Sequence, residues 1–258
     1  DGRRVVFAPG RSGRPGAWLP EIEPVTDEEL ERCPFCRGRE DQTPPETLRI
    51  GDPWQVRVVP NLYPAFERQE VVIHTPEHVR SFADLSDTQV ALVAEAWQQR
   101  IGAALDEGFE YAHALINEGR LAGASLPHSH SQLVWMREAP PAVSDEDGAR
   151  LDELFGRDDL RVLEQGGAAA FVHHAGAAPY ESVVADGTLA DRLGAVRALV
   201  SRLRELEGPF AWNAWLHANE PKHVHVVPRL TALAGIELGA GLYVNVMPPE
   251  LAAEQLRR

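Results

Sequence analysis

The chemistry legible in this chain is carried by one pair of cysteines and two pairs of alternating histidines. Cys33 and Cys36 are its only cysteines and lie together in Cys-Pro-Phe-Cys. Thiols at that spacing make half a metal site, a dithiol redox pair or two inert buried groups. A redox pair usually opens a helix after a strand. This one follows the acidic stretch Asp27 to Glu31 and runs into the loop-like segment Arg37 to Pro45, so a metal is favoured, with two ligands still to be supplied from elsewhere. In His128-Ser-His130-Ser-Gln132 a period of two puts both imidazoles and the amide on one face of an extended strand. Histidine serves as ligand, base or covalent nucleophile, and glutamine can donate an amide N–H to a phosphoryl oxygen without exchanging a proton. Such a face is costly to bury without a use; the plain alternative is a solvated surface strand. The preceding turn, Asn117-Glu-Gly-Arg-Leu-Ala-Gly-Ala-Ser125, offers backbone N–H groups, an Asn and a Ser to an anionic oxygen. Arg11 and Arg14, in Pro9-Gly-Arg-Ser-Gly-Arg-Pro15, put two guanidinium groups on a stiffened loop, a natural partner for phosphate, although taken alone the segment reads as an ordinary solvated loop.

These groups need elements to hold them. Ser86-Asp-Thr-Gln89 reads as a capping box, followed by Val90, Val93, Trp97, Ile101 and Leu105 at helical spacing until Gly108. Leu189, Leu193, Val196, Val200, Leu203 and Leu206 repeat the pattern before Gly208-Pro209, and Pro248-Pro249 begins a short terminal helix. Strands are expected at 55–59, 70–73, 111–116, 169–172, 209–216 and 242–246. His223-Val-His225-Val-Val-Pro228 is a second alternating strand, which suggests two related halves, residues 1–138 and 149–258. The Pro-rich, acidic segment Glu138 to Gly148 is the expected linker. The fold class that follows is α+β, an antiparallel sheet covered by helices.

With 258 residues, 44% of them hydrophobic and 25% charged, the chain can bury a substantial core. No apolar run reaches the ~20 residues of a membrane span. A net charge of −14 disfavours duplex nucleic acid as a partner. The N-terminus shows no apolar segment of a signal peptide, so a cytoplasmic location is expected.

Taken together, Arg11-Ser-Gly-Arg14-Pro, Cys33-Pro-Phe-Cys36, Val59-Pro-Asn61-Leu-Tyr-Pro, Ile73-His-Thr-Pro-Glu-His78, Asn117 through Gln132, Pro228-Arg229-Leu230 and Gly235-Ile-Glu237-Leu-Gly-Ala-Gly-Leu-Tyr243-Val-Asn245 come in the order seen in galactose-1-phosphate uridylyltransferases. The chain resembles that family, part of the histidine-triad superfamily, over nearly its whole length. The resemblance implies two histidine-triad-like halves, assembled as a homodimer. It implies that His130 is a nucleophile that takes UMP from UDP-glucose and passes it to galactose 1-phosphate or another hexose 1-phosphate, with Gln132 bonded to the phosphoryl oxygens. It makes Cys33, Cys36, His78 and His128 zinc ligands in a structural site, places Asn61, Asn117, Ser125, Arg11 and Arg14 against nucleotide or phosphate, and sets Glu237 against the sugar hydroxyls. His217, His223 and His225 resemble part of the family's second metal site, with Glu146 as a fourth ligand; the alternative is a strand of satisfied histidines. The sequence H-S-H-S-Q also occurs in the related ADP-glucose phosphorylases, so an enzyme releasing ADP with inorganic phosphate stands beside the uridylyltransferase, and a non-catalytic nucleotide-binding module beside both. His74, His113, His173 and His174 receive no role beyond packing or surface.

Overall fold

A computed structural model describes residues 4–12, 25–219 and 221–258. Its first strand, β1 (Arg4–Phe7), belongs with the C-terminal part of the chain. One compact unit comprises Glu23–Ser144, the other Asp145–Arg258 with the described N-terminal residues.

The first unit contains α1 (Asp27–Arg32), β2 (Leu48–Ile50), β3 (Val56–Pro60), β4 (Arg68–Ile73), α2 (Asp87–Asp106), β5 (Tyr111–Glu118), β6 (His130–Met136) and α3 (Pro141–Ser144). Its strands are antiparallel in the order β2-β3-β4-β6-β5. Alternation along β6 sorts its side chains by face. Ser131, Leu133 and Trp135 face α2, whose buried Val90, Val93, Ala94, Ala96 and Trp97 complete the core; His130 and Gln132 face the other way. Trp97, Trp135 and Phe82 are fully buried here, and each apolar side chain of this size contributes about 1.5–3 kcal/mol.

Ser86 caps α2 as expected, its hydroxyl accepting from Gln89 N–H at 3.1 Å. The reciprocal half of a capping box is absent. Gln89 Nε2 donates instead to the carbonyls of Gln55 (2.8 Å) and His74, because buried loop carbonyls need a donor more than an exposed helix end does. Leu105, expected on the apolar face, is 53% exposed.

The second unit contains α4 (Gly148–Phe155), β7 (Arg161–Gln165), β8 (Ala168–Val172), β9 (Ser182–Ala185), α5 (Leu189–Glu207), β10 (Trp212–His217), β11 (His223–Pro228), α6 (Gly235–Ala240), β12 (Leu242–Asn245) and α7 (Pro249–Arg257). Its five-stranded order is β7-β8-β9-β11-β10, again antiparallel. The pattern of the first unit recurs strand for strand: a three-stranded meander, a long helix, then a hairpin whose second strand lies against the third strand of the meander. The alternating histidines occupy the equivalent inserted strand in each. A full capping box, Thr188 with Asp191, starts α5, which buries Leu193, Val196, Leu199, Val200 and Leu203. Short strand β1 pairs in parallel with β12, from Arg4 opposite Leu242 to Phe7 opposite Asn245. The expected linker is not free of structure: it holds α3 and delivers Glu146 to a cluster of histidines. Among the described residues no helix is long and apolar enough to cross a membrane.

Candidate metal centre and nucleophile

The cysteine pair sits just after α1, which Thr26 caps through Glu29 N–H. Arg39 holds the turn by donating to the carbonyls of Leu30 (2.7 Å) and Cys33 (2.9 Å), and Arg37 N–H donates to Pro76 O at 2.9 Å, bringing the cysteine loop against the segment that carries His78. Ligand atoms of Cys33, Cys36, His78 and His128 then all lie within 4.8 Å of one another. His128 Nδ1 is 3.3 Å from Cys33 Sγ and 3.7 Å from Cys36 Sγ; His78 Nδ1 is 3.4 Å from Cys36 Sγ. A tetrahedral ion with bonds of ~2.3 Å to sulfur and ~2.05 Å to nitrogen requires S···N edges of about 3.6 Å. The donor set and its spacing therefore fit a tetrahedral cation.

The outer nitrogens confirm which ring atoms face inward. His128 Nε2–H donates to Thr75 O at 2.9 Å and His78 Nε2–H to Glu29 Oε1 at 2.8 Å, acceptors that fix the protons there and leave each Nδ1 lone pair toward the sulfurs. Glu29 is anchored by Arg80, whose Nε lies 2.6 Å away; that hydrogen bond, with His78's, outweighs burial and lowers the carboxyl below its usual range. Burial lowers His128 to about 4, keeping it neutral, while burial and then the Cys33 sulfur push the Cys36 thiol up to about 12. Thiolate ligation here thus needs a cation's charge.

Two residues on, His130 is buried, and burial lowers its pKa below 6.5 despite a hydrogen bond to a backbone carbonyl. That bond runs from Nδ1–H to His128 O at 2.6 Å. Since a carbonyl only accepts, Nδ1 carries the ring proton and Nε2 keeps the lone pair. The arrangement prepares a neutral imidazole to attack through Nε2. Phe35, from the middle of the cysteine motif, packs edge-on against both His128 and His130, with centroids at 5.9 and 5.4 Å.

The back of the same strand is held by a histidine expected only to pack or to lie at the surface. His74 is fully buried, its Nδ1 2.9 Å from Ser129 Oγ and its Nε2 2.9 Å from Ser131 Oγ. Trp97 Nε1–H also donates to Ser131 Oγ at 2.8 Å. Both serines of the H-S-H-S-Q motif therefore point away from the histidine face and are pinned from α2's side. Nothing in the spacing of Ile73-His-Thr-Pro distinguishes such a residue from any buried histidine.

Gln132 lies on the His130 face, with Leu115 opposite it on β5, and Asn117 two residues beyond Leu115 shares that face. The turn after Asn117 is shaped by Gly119 (φ 83°) and Gly123 (φ 92°), and a Cβ at Gly123 would lie 3.9 Å from Asn117 Nδ2. Ser125 in this turn is exposed. Asn61 follows β3, and its side-chain oxygen accepts from Tyr63 N–H at 2.9 Å. In the other unit, Glu237 takes the N–H groups of Ala234 (2.8 Å) and Val244 (3.4 Å); burial opposes its ionisation, but these bonds and the charge of Arg11 lower its pKa. Arg14 lies outside the described residues.

The second histidine strand also gathers its partners. Glu146 Oε2 is 2.6 Å from His217 Nδ1 and 3.2 Å from His223 Nε2, and its Oε1 is 3.1 Å from His225 Nε2. Burial resists ionisation of Glu146, but hydrogen bonds from the three histidines hold it far below the carboxylate range. Trp215 Nε1–H donates to His217 Nε2 at 3.1 Å. One carboxylate and three imidazoles suit a borderline divalent cation, and they also satisfy one another as a hydrogen-bonded cluster.

The family profile described as galactose-1-phosphate uridyl transferase, N-terminal domain, matches residues 63–141. The chain is 26% identical to the ADP-glucose phosphorylase of Arabidopsis thaliana, an alignment covering 99% of this chain and 90% of that one. It is 29% identical to the galactose-1-phosphate uridylyltransferase of Streptomyces lividans over 88% of this chain, spanning 56% of that relative's length. The crystal structure of the Arabidopsis ADP-glucose phosphorylase with bound ADP-glucose superposes with a TM-score of 0.82 at 24% identity, covering 98% of this chain and 95% of that one, and so shares its fold. Over residues 63–141 the chain thus matches the N-terminal domain of galactose-1-phosphate uridylyltransferases, and over most of its length it is similar to proteins of that family.

Proposed function

We propose that this protein transfers a nucleotide from a nucleoside diphosphate sugar to a phosphate-bearing acceptor through a covalent nucleotidyl-His130. The observation that carries the reading is the hydrogen bond from His130 Nδ1–H to His128 O, which leaves Nε2 as an unprotonated nucleophile on a buried strand. In the first half-reaction Nε2 forms a bond to the α-phosphorus and the bond from that phosphorus to the bridging oxygen breaks, so sugar 1-phosphate leaves. In the second, an oxygen of the acceptor phosphate attacks the same phosphorus and the P–N bond breaks. The Nδ1–H bond to the carbonyl steadies the ring while it carries positive charge. Gln132 donates to the phosphoryl oxygens, with Asn117 and the 119–125 turn on the same side. Cys33, Cys36, His78 and His128 would hold zinc, whose charge fixes the start of β6 and whose role is structural because four protein ligands leave no open position.

For the donor, the relative matched nearly end to end favours ADP-glucose with inorganic phosphate as acceptor, giving ADP and glucose 1-phosphate. The sequence-based expectation, UDP-glucose with galactose 1-phosphate, is supported by the relative matched over 56% of its length and by the family profile, and stands as the second reading. A homodimer is proposed for either. Incubating the protein with each nucleotide sugar and weighing the intact chain separates them. A gain of one AMP from ADP-glucose is expected, a gain of one UMP from UDP-glucose transfers the assignment to the second reading, and no adduct from either removes the covalent mechanism.

A further inference from the structure

Gln69 lies on β4 on the same face as Gln132. Val71 is directly opposite Gln132 and Gln69 opposite Val134, so the two glutamines are diagonal neighbours across the strand pair. Their side chains meet, Gln69 Nε2 donating to Gln132 Oε1 at 2.7 Å. An isolated amide pair could be turned end for end. This one cannot, because Ala65 N–H donates to Gln69 Oε1 at 2.9 Å and a backbone N–H has no capacity to accept. The oxygen of Gln69 therefore faces Ala65, its nitrogen faces Gln132, and Gln132 must turn its own oxygen toward Gln69. What Gln132 has left to offer a ligand is its NH2 group. At a transferring phosphoryl group that choice decides the sign of the interaction: an amide N–H attracts the anionic oxygens, and an amide carbonyl repels them.

We propose that Gln69 is a positioning residue that locks the Gln132 amide with its NH2 toward the phosphoryl group; this rests on the reading of His130 as the nucleophile. The same residue couples the site to the loop after β3, through its side chain at Ala65 and its backbone at Asn61. Asn61 N–H donates to the backbone oxygen of Gln69 at 2.8 Å, and Asn61 Oδ1 takes Tyr63 N–H, so the loop 61–65 and the orientation of Gln132 are set together.

The test uses Gln69→Met, Gln132→Ala and the double variant in single-turnover formation of the nucleotidyl adduct, with KM for the donor and melting temperature recorded alongside. Gln132→Ala should slow the step about 100- to 1,000-fold, as removal of a preorganised donor does. Gln69→Met leaves Gln132 free to turn and should slow it about 10-fold with KM within about 2-fold, since the interaction is made in the transition state. In the Gln132→Ala background Gln69→Met should add nothing, because residues acting through one another are not additive. Gln69→Glu, which still accepts from Ala65 but cannot donate, should be slower than Gln69→Met and provides the measurement if Met fails to fold. An unslowed Gln69→Met, or full additivity in the double variant, overturns the positioning role. Absence of the adduct on the parent protein, or its persistence in His130→Gly, overturns the underlying reading instead.

Discussion

His74→Phe is expected to separate the fold of the first unit from the support of its nucleophile strand. The substitution keeps an aromatic ring in a fully buried position but removes both bonds to the serines that flank His130. Ser131 keeps Trp97 as a partner, so its loss is that of one net hydrogen bond, about 1 kcal/mol. Ser129 loses its only side-chain partner found among the described residues and is 4% exposed, so its hydroxyl is left to bear a desolvation cost of about 1–3 kcal/mol. The sum, about 2–4 kcal/mol, corresponds to a fall in melting temperature on the order of 10 °C for a chain of this length. Calorimetry of the metal-loaded protein measures it. A second variant gives the reasoning its edge: His74→Phe with Ser129→Ala removes donor and acceptor together, and should recover about half of the loss, because an apolar pair costs little where an orphaned hydroxyl costs much. If the single variant melts with the parent, or if the double variant melts lower than the single one, the clamp does not support this strand.

Three further outcomes follow from the same geometry. Burial first, then the neighbouring imidazoles of His130 and His128, hold the His74 pKa well below 6.5, so the unfolded chain binds a proton that the folded chain refuses. Stability contributed by this residue is therefore complete above about pH 6.5 and declines as pH falls below it, by up to about 1.4 kcal/mol per unit; the slope of melting temperature against pH from 5 to 6.5 should flatten by up to one proton in His74→Phe, and an unchanged slope would assign the titration elsewhere. Cys33→Ser should cost one bound metal per chain and lower the melting temperature, measured by elemental analysis and calorimetry; metal still present after that loss would report the Glu146 cluster, and unchanged metal content would remove the cysteine pair from the site. Because the Gln132 amide cannot take a proton from water and an imidazole there could, Gln132→His should convert part of the transfer into hydrolysis, read as release of nucleoside monophosphate from the adduct without acceptor. No gain in that release would mean glutamine is not what selects the acceptor.

Sequence alone determined a good deal of this protein, because the signals involved are local. Alternation in His128-Ser-His130-Ser-Gln132 needs only the two-residue repeat of extended chain to put three polar groups on one face; His130 and Gln132 stand so on β6, and His128 immediately precedes it. Helices α2 and α5 were legible from their 3.6-residue apolar period, and the second histidine strand matched β11 from end to end. The metal donors were named by their resemblance to a family, and the structure gathers those four residues. What only the tertiary structure decided is how these groups are held. Glu29 behind His78, His74 behind the two serines, Gln69 against Gln132 and Glu146 among three histidines are contacts between residues 49, 55, 63 and 71 or more positions apart. Buried hydrogen bonds satisfy whichever polar group the fold brings within reach, irrespective of sequence distance, so no periodicity records them. The orientation of an amide and the tautomer of an imidazole belong to that second kind of information, since each is fixed by the one neighbour that can only donate or only accept.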